Sequence, residues 1–282
     1  MNWLIVDEII KKALLEDMPF GDVTTELLID NDKISSVDLV QKEDGVVCGT
    51  EVFKRVFDKN GGSVEVSFKV EDGEFVKAGT VIGRVEGKSS ELLSGERTAL
   101  NLLQRMSGIA TLTRLFCDKL SGTETKLLNT RKTTPGLRLL EKYATKVGGA
   151  VNHRYCLSDG ILIKDNHIKA VGSIEKAVRK ARRNMPFIRM IEVETETLDD
   201  VGEALNYGAD IIMLDNMDVK TIKKALKIID KKALTEVSGN VTLSNIRDIA
   251  ETGVDYISTG YITHSFTSLD ISMKNFKYID DK

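Results

Sequence analysis

Apolar and polar residues change their spacing several times along the first part of the chain. Residues 3–16 carry apolar side chains on one helical face, which predicts an amphipathic helix. Residues 34–85 alternate apolar and polar side chains between turns such as Asp44-Gly45, so we expect short β-strands there. Within them, residues 51–60 have helical spacing and predict a second helix.

From residue 91 the spacing becomes helical over a long stretch. Residues 91–122 predict either one long helix or two helices broken at Gly108, because glycine weakens a helix interior. We expect the domain boundary at this point. The predicted N-terminal domain covers residues 1–108, and the predicted C-terminal domain covers residues 109–266.

The C-terminal part repeats a buried strand followed by a helix. The predicted strands are 188–195, 209–217, 231–239 and 254–265, and the predicted helices are 196–208, 218–230 and 243–253. Repeated βα units predict a parallel sheet, which forms either a barrel or an open doubly wound sheet. The glycine fingerprint GxGxxG that usually follows the first strand of the open sheet is absent from the sequence, so the barrel is favoured.

Polar residues recur where these predicted strands end. Glu194, Asp215 and Glu236 lie 21 residues apart, and Ser258 follows 22 residues after Glu236. Helix capping would explain one such residue. Four in succession indicate an active site, because barrel enzymes hold their chemistry at the carboxyl ends of the strands.

The composition is that of an ordinary globular protein. The chain has 282 residues, of which 41% are hydrophobic and 29% charged, enough for one large domain or two modest ones. Its cysteines, Cys48, Cys117 and Cys156, form no CxxC pair, which favours a reducing cytoplasm over a disulfide scaffold or a zinc ribbon. The apolar runs are too short to cross a bilayer, and the charged first helix is unlike a signal peptide, so we expect no membrane partner.

The charge is concentrated in one segment. The whole chain has a net charge of −3, whereas residues 126–169 carry nine cations and three anions, a net +6. Lys142 and Lys146 fit a solvated helix face in this segment. The cations that do not fit such a face lie beside glycine or strand residues, and they are Arg131, Lys132, Arg154 and Lys164.

Converging guanidinium and ammonium groups predict a small ligand with several negative charges, such as phosphates and carboxylates. Nucleic acid is a poor candidate because the sequence has no long basic face and few interleaved aromatic residues. Two reasons could bring Glu194 and Asp215 to the same cavity. They could hold a divalent ion against a pyrophosphate, or they could stabilise a ribosyl oxocarbenium ion.

Several longer motifs resemble one enzyme family. The motifs SGERTALNLLQRMSGIAT (94–111), TRKTTPGLRLLEKYA (130–144), GGAVNHR (148–154) and LSDGILIKDNHI (157–168), together with EVET, MLDNM, EVSGN and GVDYISTGYITHS further on, resemble quinolinate phosphoribosyltransferases, also called carboxylating nicotinate-nucleotide pyrophosphorylases. The resemblance covers nearly the whole chain. It implies the α/β fold of type II phosphoribosyltransferases, an N-terminal α/β sandwich domain plus an incomplete parallel α/β barrel, with the tail 267–282 returning to the first domain.

The resemblance also implies a reaction. Quinolinate and phosphoribosyl pyrophosphate would give nicotinate mononucleotide, pyrophosphate and CO₂ with Mg²⁺ as cofactor, a step of NAD biosynthesis in the cytoplasm. The implied assembly is a head-to-tail homodimer, in which Arg97 of GERT enters the neighbouring subunit's site. Further assembly to a hexamer stays open, as does the choice between a lysine and water as the final proton donor.

Site residues carry over motif by motif. The implied quinolinate pocket consists of Thr130, Arg131, His153 and Arg154. Lys164 would bridge quinolinate and the phosphoribosyl donor, and Lys132 would contact a donor phosphate. The implied catalytic residues are Lys132, Lys164, Glu194 and Asp215.

The remaining positions concern the ribose and its phosphate. Glu194 and Asp215 resemble the carboxylates that hold the ribose hydroxyls and magnesium. The implied 5′-phosphate site consists of Ser238, Gly239, Asn240, Thr259, Gly260 and Tyr261, which agrees with the last two loops of a barrel as a phosphate site.

Two positions depart from the family pattern. The loop that usually reads SGG ends here in Asn240, and Tyr261 stands where a small residue is common. Asparagine tolerates a positive φ better than most residues, so we expect the loop conformation to survive.

Other functions compete with this interpretation. Molybdenum-linked relatives share TRKTTPG, but the intact KDNH segment disfavours them. Nicotinic acid as substrate would not need so many cations. A barrel aldolase could use Lys164 as a Schiff-base lysine, and residues 70–87 could be a biotinyl- or lipoyl-carrier module, although no lysine occupies the expected hairpin tip.

Overall fold

The computed structural model describes residues 1–30 and 32–279. In chain order its helices and strands are α1 (Trp3–Asp17), α2 (Val23–Leu28), β1 (Ile34–Gln41), β2 (Gly45–Val46), α3 (Thr50–Lys59), β3 (Val64–Phe68), β4 (Phe75–Val76), β5 (Val81–Lys88), α4 (Ser89–Lys119), β6 (Lys126–Leu128), α5 (Arg138–Val147), β7 (Ile161–Ile163), α6 (Asp165–Val171), α7 (Ile174–Asn184), β8 (Ile191–Thr195), α8 (Leu198–Asn206), β9 (Ile211–Asp215), α9 (Val219–Ile229), β10 (Leu234–Ser238), α10 (Ile246–Ala250), β11 (Tyr256–Ser258), α11 (Tyr261–His264) and β12 (Ile271–Tyr278).

The chain divides into two compact units. The first contains Met1–Arg114, Thr133–Gly149 and the segment from Ser265 onward, and the second contains Leu115–Lys132 and Ala150–His264. The predicted boundary at residue 108 falls within α4. Residues 280–282 of the predicted returning tail lie outside the described part of the chain.

The first unit packs helices on an antiparallel sheet. Its strands are hydrogen-bonded in the order β12-β1-β5-β3, so the C-terminal strand lies at the edge beside β1. The predicted helices at 3–16 and 51–60 are confirmed as α1 and α3. Phe53 and Phe57 of α3 are fully buried and pack edge to face in the core, with ring centroids 5.4 Å apart.

Of the two alternatives for residues 91–122, one long helix is confirmed, because α4 continues through Gly108. A Cβ at position 108 would collide with the carbonyl oxygen of Thr267. The glycine therefore allows close approach of a distant chain segment and does not end the helix. One expectation fails in the same unit, since Lys142 of α5 is 2% exposed and does not lie on a solvated face.

The second unit contains a six-stranded parallel sheet in the order β6-β11-β10-β9-β8-β7, with helices between successive strands. The α/β class and the parallel barrel strands are thereby confirmed, and the described edge strands β6 and β7 do not pair with each other. The strand predicted over 254–265 is too long. It ends at Ser258, and residues 261–264 form the short helix α11.

The strand register decides which side chains share a level of the sheet. Glu194, Met213 and Glu236 are aligned across β8, β9 and β10. Two residues further toward the carboxyl ends, Asp215 is aligned with Ser238. Glu236 therefore lies inside its strand and not at the end, where the spacing of 21 residues placed it. Among the described residues, no helix combines the length and apolar content needed to cross a bilayer.

Candidate active site

A cavity of about 660 Å³ opens at the carboxyl ends of the parallel strands. Every residue that lines it belongs to the second unit. The predicted site residues among them are Thr130, Arg131, Lys132, His153, Arg154, Lys164, Glu194, Asp215, Ser238, Gly239, Asn240, Thr259, Gly260 and Tyr261. Arg97 is the exception, because it is exposed on α4 of the first unit.

Sequence reasoning missed several lining residues. They include Met213, Thr242 and His264. The strand-end spacing did bring Glu236 into view, but it gave no indication that the side chain is buried. His264 follows the last strand within α11, and no sequence pattern marked either it or Thr242 as a site residue.

Positive charge is concentrated on one wall of the cavity. Burial lowers the pKa of Arg154, and the nearby charge of Arg131 lowers it further. The Nη1 atom of Arg154 donates to the carbonyl oxygen of Gly160 at 3.2 Å, which orients the guanidinium. Two guanidinium groups that repel each other at close range would be stabilised together by a ligand with two carboxylates.

The opposite charge comes from neighbouring strands. The Nζ atom of Lys164 lies 2.6 Å from Oε2 of Glu194, which is mostly buried. Burial and the charge of Glu194 raise the pKa of Asp215. Asp215 also accepts a 2.7 Å hydrogen bond from Nδ2 of Asn216. Mutually repelling carboxylates on adjacent strands are hard oxygen donors, so their chemistry fits a Mg²⁺ ion.

The loop after β10 is shaped for close backbone approach. Gly239 has a φ of 89°, and a Cβ there would collide with the side chain of Asn216. Asn240 was expected to tolerate the positive φ of this loop, and this is confirmed because its φ is 51°. Its Nδ2 donates to Oδ1 of Asn216 at 3.0 Å. Asn216 therefore connects this loop to Asp215.

The loop after β11 packs against the basic segment. Thr263 donates from Oγ1 to the carbonyl oxygen of Lys132 at 2.7 Å. A Cβ on Gly260 would meet Cδ of Lys132 at 2.8 Å, so glycine lets the lysine side chain lie across the backbone. Tyr261 is 39% exposed, and its ring centroid lies 6.0 Å from that of Phe116. The larger residue is thus accommodated at the rim.

A buried cluster lies deeper in the barrel. Nε2 of His153 is 3.0 Å from Oε2 of Glu192 and 3.4 Å from Oε2 of Glu236. Among the described residues, these three form the group whose ligand atoms lie close enough to one another to hold a metal ion. The Nε2–H of His153 already supplies a donor between the two carboxylates, so the arrangement is explained without an ion.

Comparison with known proteins gives a consistent family. The description "Quinolinate phosphoribosyl transferase, N-terminal domain" matches residues 22–107, and "Quinolinate phosphoribosyl transferase, C-terminal domain" matches residues 109–274. The chain is 43% identical over 273 residues to a probable carboxylating nicotinate-nucleotide pyrophosphorylase of Bacillus subtilis, covering 97% of this chain and 94% of that protein.

A plant relative and a crystal structure extend the comparison. The decarboxylating quinolinate phosphoribosyltransferase 2b of Nicotiana tabacum is 41% identical over 286 residues, covering 95% of this chain and 81% of that protein. The crystal structure of NadC from Streptococcus pyogenes superposes with a TM-score of 0.96 at 42% identity and covers 99% of each chain.

Proposed function

This chain belongs to the quinolinate phosphoribosyltransferase family, and we propose that it transfers the 5-phosphoribosyl group of phosphoribosyl pyrophosphate to quinolinate with loss of CO₂. The products are nicotinate mononucleotide and pyrophosphate, so the enzyme serves NAD biosynthesis. One observation carries the proposal. A single cavity brings two guanidinium groups and two lysines together with paired carboxylates from adjacent strands.

Quinolinate binds at the wall formed by Arg131 and Arg154. Its adjacent carboxylates form a dianion, whose removal from water requires matching cations. The planar fork of an arginine suits each carboxylate, and binding the dianion relieves the repulsion between the two guanidinium groups. Thr130 lines the same part of the cavity.

The phosphoribosyl donor binds along the carboxylates and the loops after β10 and β11. Ser238, Gly239 and Asn240, with Thr259, Gly260 and Tyr261, surround the 5′-phosphate, and Lys132 contacts the pyrophosphate. Glu194 and Asp215 hold the ribose hydroxyls and the Mg²⁺ ion. When bound, Mg²⁺ offsets the negative charge of the departing pyrophosphate.

The reaction begins as the C1–O bond breaks, and both of its electrons leave with pyrophosphate. Glu194 and Asp215 stabilise the positive charge that develops on the ribose. The lone pair of the pyridine nitrogen then forms the bond to C1. The bond from C2 to its carboxylate breaks, its electrons remain on C2 beside the cationic nitrogen, CO₂ departs and a proton adds to C2.

The Schiff-base alternative is disfavoured by the contacts of Lys164. Its Nζ forms an ion pair with Oε2 of Glu194 at 2.6 Å. An ammonium group has no lone pair to attack a carbonyl, and a Schiff-base lysine requires a neutral amine. The same ion pair suits a lysine that lies between a carboxylate ligand and a phosphate.

Assembly and location complete the proposal. The enzyme is a homodimer in which Arg97 of one subunit serves the site of the other, since Arg97 is exposed on the first unit and does not line the cavity of the second. We place the enzyme in the cytoplasm, where a sequence without a CxxC pair is expected.

The direct test follows release of labelled CO₂ from quinolinate labelled in its 2-carboxylate. We expect release only when phosphoribosyl pyrophosphate and Mg²⁺ are both present, with nicotinate mononucleotide formed in equal amount. Nicotinic acid serves as the control substrate and should give no comparable nucleotide formation. Release without phosphoribosyl pyrophosphate, or preferred use of nicotinic acid, would contradict the proposal.

A further inference from the structure

Two buried glutamates have no part in the chemistry described so far. Glu192 of β8 is 4% exposed and Glu236 of β10 is 2% exposed. The Oε1 atom of each has no hydrogen-bond partner among the described residues. A buried carboxylate is costly unless it is compensated, so their retention in the barrel interior requires a reason.

Both glutamates meet at one nitrogen of His153. Their Oε2 atoms lie 3.0 Å and 3.4 Å from its Nε2, while its Nδ1 accepts the backbone N–H of Arg154 at 2.7 Å. The ring is therefore fixed from both sides, with its proton on Nε2 and its lone pair on Nδ1. The backbone at position 153 is held as well, because its N–H donates to Oδ1 of Asn129 at 3.2 Å.

The raised pKa of His153 and the hydrogen-bond geometry of its ring point to different protonation states, and the geometry decides between them. Burial lowers the pKa of His153, but hydrogen bonds to Glu192 and Glu236 outweigh it and raise the pKa to about 9. A second ring proton would have to occupy Nδ1 and displace the Arg154 amide. The geometry therefore keeps Nδ1 unprotonated as the acceptor of the Arg154 amide.

The cluster also lies where two cavities approach each other. His153, Arg154 and Glu236 line the active-site cavity, and with Glu192 they also line a second cavity of about 570 Å³ in the same unit. The other walls of the second cavity include the apolar side chains of Ile211 and Leu234. The cluster thus lines both cavities next to Arg154, a residue proposed to bind quinolinate.

We propose that Glu192 and Glu236 are positioning residues for quinolinate, which act through His153 to fix the backbone of Arg154 and direct its guanidinium into the cavity. His153 then contributes through this linkage and not as a free donor. The inference rests on the proposed function, because it assumes that Arg154 binds a quinolinate carboxylate.

The test compares Glu236→Gln and Glu192→Gln with the unmodified enzyme. We expect the KM for quinolinate to rise at least tenfold in each variant, while the KM for phosphoribosyl pyrophosphate stays within twofold and kcat falls less than threefold. Thr235→Val is the matched control, since Thr235 is also buried in β10 and hydrogen-bonds Asp255 instead of this cluster. It should leave both KM values unchanged.

A double-mutant cycle tests the linkage itself. If the glutamates act through His153, adding Glu236→Gln to His153→Ala should raise the quinolinate KM by less than twofold. If the glutamine variants lose cooperative unfolding, Glu236→Asp and Glu192→Asp, which keep the carboxylate, replace them. These variants should also raise the KM for quinolinate and leave the KM for phosphoribosyl pyrophosphate within twofold.

Three results would overturn the inference. They are additive effects in the cycle, an equal rise of both KM values, and a loss of kcat with the quinolinate KM unchanged. Failure of the proposed function is recognised separately, because the unmodified enzyme would then release no CO₂ in response to phosphoribosyl pyrophosphate.

Discussion

At the scale of single residues, Arg154 gives the sharpest test of the quinolinate pocket. We expect Arg154→Ala to weaken quinolinate binding by about 2 kcal/mol, because it removes a charge-assisted pair of hydrogen bonds. This corresponds to a loss of about thirtyfold in affinity. Calorimetric titration with each substrate would measure it, and binding of phosphoribosyl pyrophosphate should largely persist. Equal loss of both ligands would contradict the assignment.

Asn240 tests whether the departure from the family loop matters. Asn240→Gly removes the 3.0 Å hydrogen bond to Asn216, which in turn orients Asp215. We expect the KM for phosphoribosyl pyrophosphate to rise about fivefold, equivalent to about 1 kcal/mol for one hydrogen bond. The quinolinate KM should not change. A lower KM for the donor would mean that the asparagine hinders the phosphate.

Sequence motifs predicted the residues that line the cavity better than they predicted the buried contacts of His153. The basic segment and the strand-end carboxylates indicated Arg131, Lys132, Arg154, Lys164, Glu194 and Asp215, and the family resemblance implied the other predicted residues that line the cavity. The contact of His153 with Glu192 and Glu236 could not be predicted. It depends on how the loop at His153 meets two different strands, β8 and β10, that are far from it in the sequence.

At the scale of elements, the docking of α1 on α3 has a predictable response to pH. Asp7 of α1 lies 2.7 Å from Nε of Arg55 and 2.8 Å from Nζ of Lys59. Hydrogen bonds from these two cations hold the pKa of Asp7 far below its usual 3.8. A lowered folded-state pKa adds stability above the unfolded pKa, and this stability is lost as the pH falls through the folded value.

We therefore expect Asp7→Asn to cost about 1 kcal/mol near pH 7, the upper range for such a partly exposed pair. The melting temperature should fall by about 2–4 °C, and the difference from the unmodified protein should shrink below about pH 4. Asp58→Asn is the control, since Asp58 reaches Arg55 only at 3.7 Å and is more exposed. A difference that is undiminished at pH 2 would contradict this interpretation.

Elements with strong periodicity were predictable, and those shaped by distant contacts were not. Helices α1 and α3 follow from apolar spacing alone. The continuity of α4 does not, because the backbone at Thr267 that excludes a side chain at Gly108 comes from the far end of the chain. The alternation in residues 254–265 fits a strand as well as the strand, loop and short helix that form there.

At the scale of the whole molecule, the sequence does not reveal that residues 133–149 leave the barrel unit. They follow the basic motif directly, yet they group with the first unit, where Leu140 and Ala144 join its hydrophobic core. A local sequence pattern groups a segment with the residues next to it in the chain. The unit to which the segment belongs is decided instead by where its apolar face is buried.

The division into two units also bears on how an active enzyme is assembled. Arg97 is exposed on α4 of the first unit, and the cavity is lined by the second unit alone. If Arg97 serves the site of the partner subunit, Arg97→Ala and Lys164→Ala chains should each be inactive alone. In a mixed dimer one of the two sites receives both native residues. Random exchange of equal amounts should therefore restore about a quarter of the activity of the unmodified enzyme.

Subunit exchange is verified with differently tagged chains. Lys164→Ala mixed with Lys132→Ala is the control, because both residues line the same cavity and no hybrid site would regain both. No recovery with Arg97→Ala despite verified exchange, in a mixture whose control also stays inactive, would place Arg97 in the site of its own chain or outside the site altogether.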